Sequence, residues 1–218
     1  MSSTSSGATA TSGPEVVDDE RPRLGILGGS FNPPHLGHLL IASDVCHYLD
    51  LEKVLFVPAA RPPHKTIDDD TPAAARLEMT RLAVAGDPRF EVSPVEIERD
   101  LVYTLETVSA VRQQYDGYRL YFIMGSDSLL QFETWHQPSA ILALCRLAVA
   151  LRPGDDAHEV DDIARGLGRG FAIVLQTAMI DVSSHDIRNR VRRGDPIRYL
   201  VPPAVDDFVA ARRLYKVT

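Results

Sequence analysis

The chain has 218 residues, 44% of them apolar, and a formal net charge of −7. That length suits one sizeable core, and no apolar run approaches the roughly 20 residues that a membrane-spanning helix needs. An acidic balance is also a poor match for a polyanion, so neither a membrane protein nor a nucleic-acid binder is indicated, and the cytoplasm is the expected compartment.

Residues 1–22, MSSTSSGATATSGPEVVDDERP, carry almost no large apolar side chain. They set Glu15, Asp18, Asp19 and Glu20 against Arg21, a net of −3 that leaves −4 for the rest. Such a segment cannot repay its ordering entropy by burial and is expected to be a disordered tail. It lacks the apolar stretch of a secretory signal, and a transit peptide would be basic and poor in acids. Residues 23–218 are expected to form a single domain.

From Arg23 onward, apolar runs of strand length alternate with runs of helical period. RLGILG is a short strand ending in glycines, and LGHLLIASDVCHYLDL follows with Leu36, Leu39, Leu40, Val45, Cys46 and Leu49 near a helical stripe. VLFVP, residues 54–58, is a strand. TPAAARLEMTRLAVAG reads as a helix with Thr71 as N-cap, Pro72 at the first helical position and Gly86 as a stop. FEVSPVEI alternates like a strand, with Pro94 marking a sheet edge or a strand end. Thr104 is expected to cap LETVSAVRQQY, after which Asp116 and Gly117 turn the chain into the strand RLYFIMG. Helical PSAILALCR, strand LAVAL, helical EVDDIARGLG and strand FAIVL complete the series. Cys46 and Cys145 lie far apart in apolar runs, which argues for two buried thiols and against a disulfide framework or a thiolate metal site.

Strand, helix, strand in this order predicts an α/β fold: a Rossmann-like, doubly wound parallel sheet with helices on both faces and a binding crevice beyond the carboxyl ends of the strands. Three unusual loops fall at such ends, namely SFNPPHLGH, AARPPHK and GSDSLLQFETWH. They are expected to converge on one site.

The first of these belongs to GGSFNPPHLGH, residues 28–38. It lacks GxGxxG spacing, no acidic residue closes VLFVP, and GK[ST] is absent, so neither a dinucleotide fingerprint nor a Walker-type loop is present. What remains is a loop of amides before a helix N-terminus, an arrangement that favours phosphate. Gly28 and Gly29 let a ligand approach the backbone, and Pro33 and Pro34 stiffen the approach to His35. His35 and His38, three apart, can share one helix face and reach phosphate oxygens. A zinc site would need further ligands that no nearby stretch supplies.

GGSFNPPHLGH resembles the GxFxPxHxGH signature of the nucleotidylyltransferase superfamily, and VSSHDIRNRV, residues 182–191, resembles its second signature, a serine-rich turn before a helix with an Arg. VPAARPPHK, RDLVYTLETV, FIMGSDSLLQFETWHQPSAIL and the ending DPIRYLVPPAVDDFVAARRLY are similar to one branch, the bacterial nicotinate-mononucleotide adenylyltransferases of NAD biosynthesis. The resemblance runs from Arg23 to Tyr215 and implies a small helical C-terminal element. It also implies in-line attack of nicotinate mononucleotide on the α-phosphorus of ATP, releasing pyrophosphate with no covalent enzyme intermediate. Mg2+ would come bound to the ATP phosphates, so no metal ligands are expected from the protein.

By that resemblance His35, His38 and Arg188 are the catalytic residues and hold the ATP phosphates, helped by Ser183 and Ser184 at the start of the second helix and by the backbone of Gly28, Gly29, Ser30 and Phe31. Gly125, Asp127 and Arg152, at two further strand ends, would lie along the nucleotide. For the mononucleotide, Trp135 would stack on the pyridine ring, the amides of Tyr103 and Thr104 would receive its carboxylate, and Ser30, His64 and Lys65 would meet its phosphate side. Two positions depart from the family pattern: Asn32 stands where Asp commonly follows the Phe, and His185 replaces a third hydroxyl residue in the second signature. The expected partners are these two small molecules, with no nucleic acid or membrane; a homo-oligomer is compatible with the sequence. Phosphopantetheine adenylyltransferases carry Thr where His35 stands, and cytidylyltransferases have a different second signature. A nucleotide-binding sensor without chemistry is the reading from another class.

Overall fold

The computed structural model describes residues 20–61, 71–152, 154–178 and 180–216. The expected tail lies outside the described residues as far as residue 19. Each apolar run identified in the sequence forms a strand: β1 (Arg23–Gly29), β2 (Lys53–Pro58), β3 (Phe90–Val92), β4 (Arg119–Gly125), β5 (Arg146–Ala150) and β6 (Ala172–Leu175). The helices between and after them are α1 (Leu36–Tyr48), α2 (Ala73–Val84), α3 (Val95–Arg99), α4 (Thr104–Gln114), α5 (Ser126–Leu129), α6 (Pro138–Leu144), α7 (Ala157–Gly166), α8 (Ser184–Arg193) and α9 (Pro203–Ala211), with a 3-10 turn at Phe132–Thr134.

The strands lie in the order β3-β2-β1-β4-β5-β6, every pair parallel. This is the order of a doubly wound sheet, whose direction of winding reverses between β1 and β4. Because side chains alternate across a strand, the continuous apolar runs feed two cores at once. Leu55, Val57, Leu120, Phe122, Met124, Leu147 and Val149 face one core with α4, α6 and α7. Val54, Phe56, Tyr121, Ile123 and Ala148 face the other with Ala42, Val45 and Cys46 of α1. Each large side chain so buried contributes roughly 1.5–3 kcal/mol. A third, smaller core joins Met79 and Ala83 of α2 to Ile187 of α8, to Val205 and Val209 of α9, and to Tyr215. This is the small helical C-terminal element. Cys46 and Cys145 are buried free thiols, and no helix among the described residues is long and apolar enough to cross a membrane.

Three local expectations need correction. α2 starts at Ala73, with Pro72 rather than Thr71 at the cap; Pro72 has no N–H to leave unpaired at a helix boundary. The stretch FEVSPVEI is strand only to Val92, at the sheet edge, and its second half is α3, entered from Pro94. A proline cannot donate to the ladder, so pairing with β2 stops short of it. Thr104 is the first helical residue and not the cap of α4; Glu106 closes that end instead, its Oε2 accepting from the Tyr103 N–H at 3.0 Å.

Candidate active site

The winding reverses beyond Gly29 of β1 and Gly125 of β4, and the first motif leaves β1 there. Phe31 takes a left-handed φ of 46°, which drives its ring into the core, where it is fully buried and meets His38 edge-on at 5.0 Å between centroids. His35 is the extended N-cap of α1, and its N–H donates to Nδ1 of His38 at 3.1 Å. A neutral imidazole that accepts at Nδ1 carries its proton on Nε2. The two histidine rings lie 3.7 Å apart, and a side chain at Gly37 would have to sit 3.1 Å from the His35 ring. Burial brings the His35 imidazole down to about 4 from its ordinary 6.5. His38 is held well below its ordinary value by burial first, then by His35 and by the Arg152 guanidinium. Both rings are therefore neutral near pH 7. Nδ1 of His35 is buried without a hydrogen-bond partner among the described residues.

The loop between β1 and α1 is gripped through its carbonyls. Arg188 Nη1 donates to the Asn32 carbonyl at 2.9 Å and Ser184 Oγ to the Pro33 carbonyl at 2.8 Å, so the second motif closes directly on the first. Ser183 is the N-cap of α8, its Oγ accepting from the Asp186 N–H at 3.1 Å. His185 is exposed and bonds Asn189 one turn along its own helix at 2.9 Å. Three contacts had no place in the sequence reading: Tyr215 Oη donates to Asn32 Oδ1 at 2.7 Å, Arg76 Nη1 to the Ser30 carbonyl at 2.9 Å, and the Leu36 N–H to the Leu200 carbonyl at 3.0 Å. Only Arg76 had a local signal: it shares the helical stripe of Met79, Thr80, Ala83 and Val84 and is buried with them.

On the other side of the reversal, Ser126 is fully buried. Its Oγ accepts from the Arg152 N–H at 3.0 Å and donates to the Asp155 carboxylate, tying the end of β4 to the loop after β5. Beside it the Arg152 Nε lies 3.2 Å from Asp127 Oδ1. A Cβ at Gly125 would meet that same oxygen at 2.5 Å, so a larger residue there would have to push the Asp127 carboxylate aside.

The region expected to take the mononucleotide is more open. Tyr103 is 48% exposed and its ring stacks on His136 at 4.3 Å. Trp135, half-buried, packs edge-on against Phe122 at 5.9 Å and at a tilt against Phe132 at 5.4 Å. The Tyr103 N–H, one of the two amides expected to receive a carboxylate, is engaged by Glu106; Thr104 opens the helix behind it. His64 and Lys65 lie outside the described residues. Among the described residues no three His, Cys, Asp or Glu side chains are grouped to hold a metal ion.

Residues 26–190 match the cytidylyltransferase-like family model. A probable nicotinate-nucleotide adenylyltransferase of Thermomicrobium roseum is 42% identical over 196 residues, covering 89% of this chain and 92% of the relative. One of Moorella thermoacetica, named in the same words, is 40% identical over 199 residues, with coverage of 89% and 92%. In structure, the chain is similar to the Plasmodium falciparum nicotinic acid mononucleotide adenylyltransferase complexed with NaAD, at a TM-score of 0.73 and 14% identity over 89% of this chain and 97% of that one. At that identity the likeness bears on the fold.

Proposed function

The chain belongs to the nicotinate-nucleotide adenylyltransferase family, and we infer that it joins nicotinate mononucleotide and ATP into nicotinate adenine dinucleotide and pyrophosphate. The observation that carries this reading is the closure of the Ser184–Arg188 turn on the His35–His38 loop, at the point where the sheet reverses its winding. There the two histidines, a guanidinium and two helix N-termini meet, which is a setting for a triphosphate.

In this reading a phosphate oxygen of the mononucleotide attacks the α-phosphorus of ATP, that bond forms, and the bond to the β-phosphate oxygen breaks. Pyrophosphate leaves. No protein nucleophile is needed, so the enzyme's work is positioning and charge stabilisation. His38 presents its Nε2–H, since Nδ1 is engaged by His35. Both imidazoles start neutral, and negative charge building on the leaving group strengthens their hydrogen bonds when it matters. Arg188, Ser183 and Ser184 meet the same phosphates, Gly28, Gly29, Ser30 and Phe31 line them, and Gly125, Asp127 and Arg152 lie along the nucleotide. Magnesium would come bound to the triphosphate and would neutralise charge there, and no side chain is assigned to hold it. On the acceptor side Trp135 stacks on the pyridine, the Thr104 amide at the start of α4 receives its carboxylate in place of the Tyr103 amide, which Glu106 holds, and Ser30 with His64 and Lys65 meets its phosphate. Residues 23–218 act as one nucleotidylyltransferase domain, in the cytoplasm.

The test is pyrophosphate release by the purified protein with magnesium and ATP, in parallel with nicotinate and nicotinamide mononucleotide. Release at least about tenfold faster with the nicotinate form is expected, a difference of about 1.4 kcal/mol in transition-state binding. Absence of release with either, while ATP still binds, would remove the enzyme assignment in favour of a nucleotide sensor.

A further inference from the structure

α2 turns Met79, Thr80, Ala83 and Val84 inward, and on the same stripe stands Arg76, only 2% exposed. Burying a guanidinium is costly, and apolar side chains of similar volume commonly serve stability as well or better. What the charge does here is visible in its partners. Nη1 donates to the Ser30 carbonyl at 2.9 Å and Nη2 to the Ala60 carbonyl at 3.1 Å. Nε has no hydrogen-bond partner among the described residues, so the side chain is placed to suit those two carbonyls and not its own full satisfaction. Glu96 of α3 supplies the counter-charge. Its carboxylate accepts from Thr107 Oγ1 of α4 at 2.6 Å. Ala60 is thus held at its carbonyl by a buried base.

Ser30 follows β1 and Ala60 follows β2, two strands paired in parallel with Gly29 opposite Pro58. The planar fork of one guanidinium therefore spans the carboxyl ends of both. We propose that Arg76 is a positioning residue that sets the spacing between the ATP loop after β1 and the acceptor loop after β2. Arg76 acts through the two main chains and touches neither substrate. This role rests on the adenylyltransferase reading, since it assigns the two loops to two substrates. Arginine suits the task where lysine does not, because two donors in a fixed plane define a distance and a single ammonium does not. A misplacement of about 1 Å between reacting groups is enough to cost about 100-fold in rate.

The experiment compares wild type, R76K and R76Q in the full chain, by steady-state kinetics and by backbone hydrogen exchange. R76K is expected to lower kcat by about tenfold or more, with the KM of each substrate within about threefold. Exchange should rise by about tenfold in residues 28–35 and 58–61 and stay unchanged in α7, since opening is local. R76Q, which has no planar fork to span both carbonyls, should loosen both segments at least as much. The proposal is overturned if R76K leaves kcat and loop exchange at wild-type values, if KM rises with kcat unmoved, or if α7 loosens equally. Should R76K not fold, unchanged exchange at 28–35 and 58–61 in R76Q overturns it alone. If wild type itself releases no pyrophosphate, the catalytic reading fails, and the exchange pattern still decides whether Arg76 couples the two loops.

Discussion

Around His35 and His38, the carbonyls of Ser30, Asn32 and Pro33 are each taken by a side chain from α2 or α8, and the Asn32 amide oxygen is held by Tyr215. Around Tyr103 and Trp135 the contacts are ring against ring, and the neighbouring ion pair of Arg61 with Asp100 is largely exposed. His35 is 8% exposed and Tyr103 48%. On the proposed function, the contrast follows from what each half must do. A highly charged triphosphate reacts at one atom and rewards donors fixed in advance. An aromatic acceptor is recognised over its face, through area that exposed rings supply as the ligand arrives. Rigidity is concentrated where charge moves.

That contrast breaks most sharply at His38. Replacing it with Ala removes the Nε2–H donor and the acceptor for the His35 N–H. The fall in kcat is expected to be about 100- to 1,000-fold, the size seen when one transition-state donor is lost. ATP affinity, read by titration calorimetry, should fall by less than about threefold, since a contact that strengthens in the transition state adds little to ground-state binding. Equal losses in kcat and in ATP affinity would remove the role. The lost cap costs about 1 kcal/mol of stability as a separate matter.

A second measurement tests whether the buried half is held dry. Above pH 6.5 His35 is neutral in both folded and unfolded chains and contributes nothing to the pH dependence. As pH falls through 6.5 the unfolded chain takes up a proton that the folded chain refuses until about pH 4. Stability is lost across that window, by about 3 kcal/mol in all at 1.36 kcal/mol per pKa unit. Urea unfolding of wild type and His35→Asn between pH 4.5 and 7.5 isolates this from the carboxylates. The variant, less stable at pH 7.5, should close most of that 3 kcal/mol on wild type toward pH 4.5. Parallel curves would mean that the imidazole is hydrated in the folded state.

Local patterning made the six strands legible, because VLFVP and RLYFIM feed two cores and must be apolar throughout. The two motifs were legible for a different reason: GGSFNPPHLGH and VSSHDIR combine residue types that no helix or turn requires. The contacts that join them were not. Nothing near Tyr215 announces that its hydroxyl meets Asn32, a pairing across 183 positions that only the packing of α9 on α2 creates. Ser126 with Asp155 is hidden in the same way. Arg76 was legible in principle, as a charge on an apolar stripe, and so was the end of β3, where Pro94 announces a strand end but not the helix after it.

The smallest expected effect sharpens the comparison from the open side. Trp135 has one face of its surroundings in the core, against Phe122 and Phe132, and is itself only half-buried. If its free surface stacks on the acceptor, Trp135→Ala raises the KM for nicotinate mononucleotide by about tenfold, the scale of one aromatic contact. The KM for ATP and the rate at saturating acceptor should stay within about threefold, because uniform binding energy lost from a substrate appears in KM and not in kcat. The same truncation also thins the core, and Trp135→Phe keeps most of that packing along with a smaller stacking face. The Phe variant should therefore restore thermal stability fully and the acceptor KM in part. If instead both KM values move together, and in step with the loss of stability across the two variants, Trp135 serves the fold alone, and recognition of the pyridine falls to the exposed pair of Tyr103 and His136.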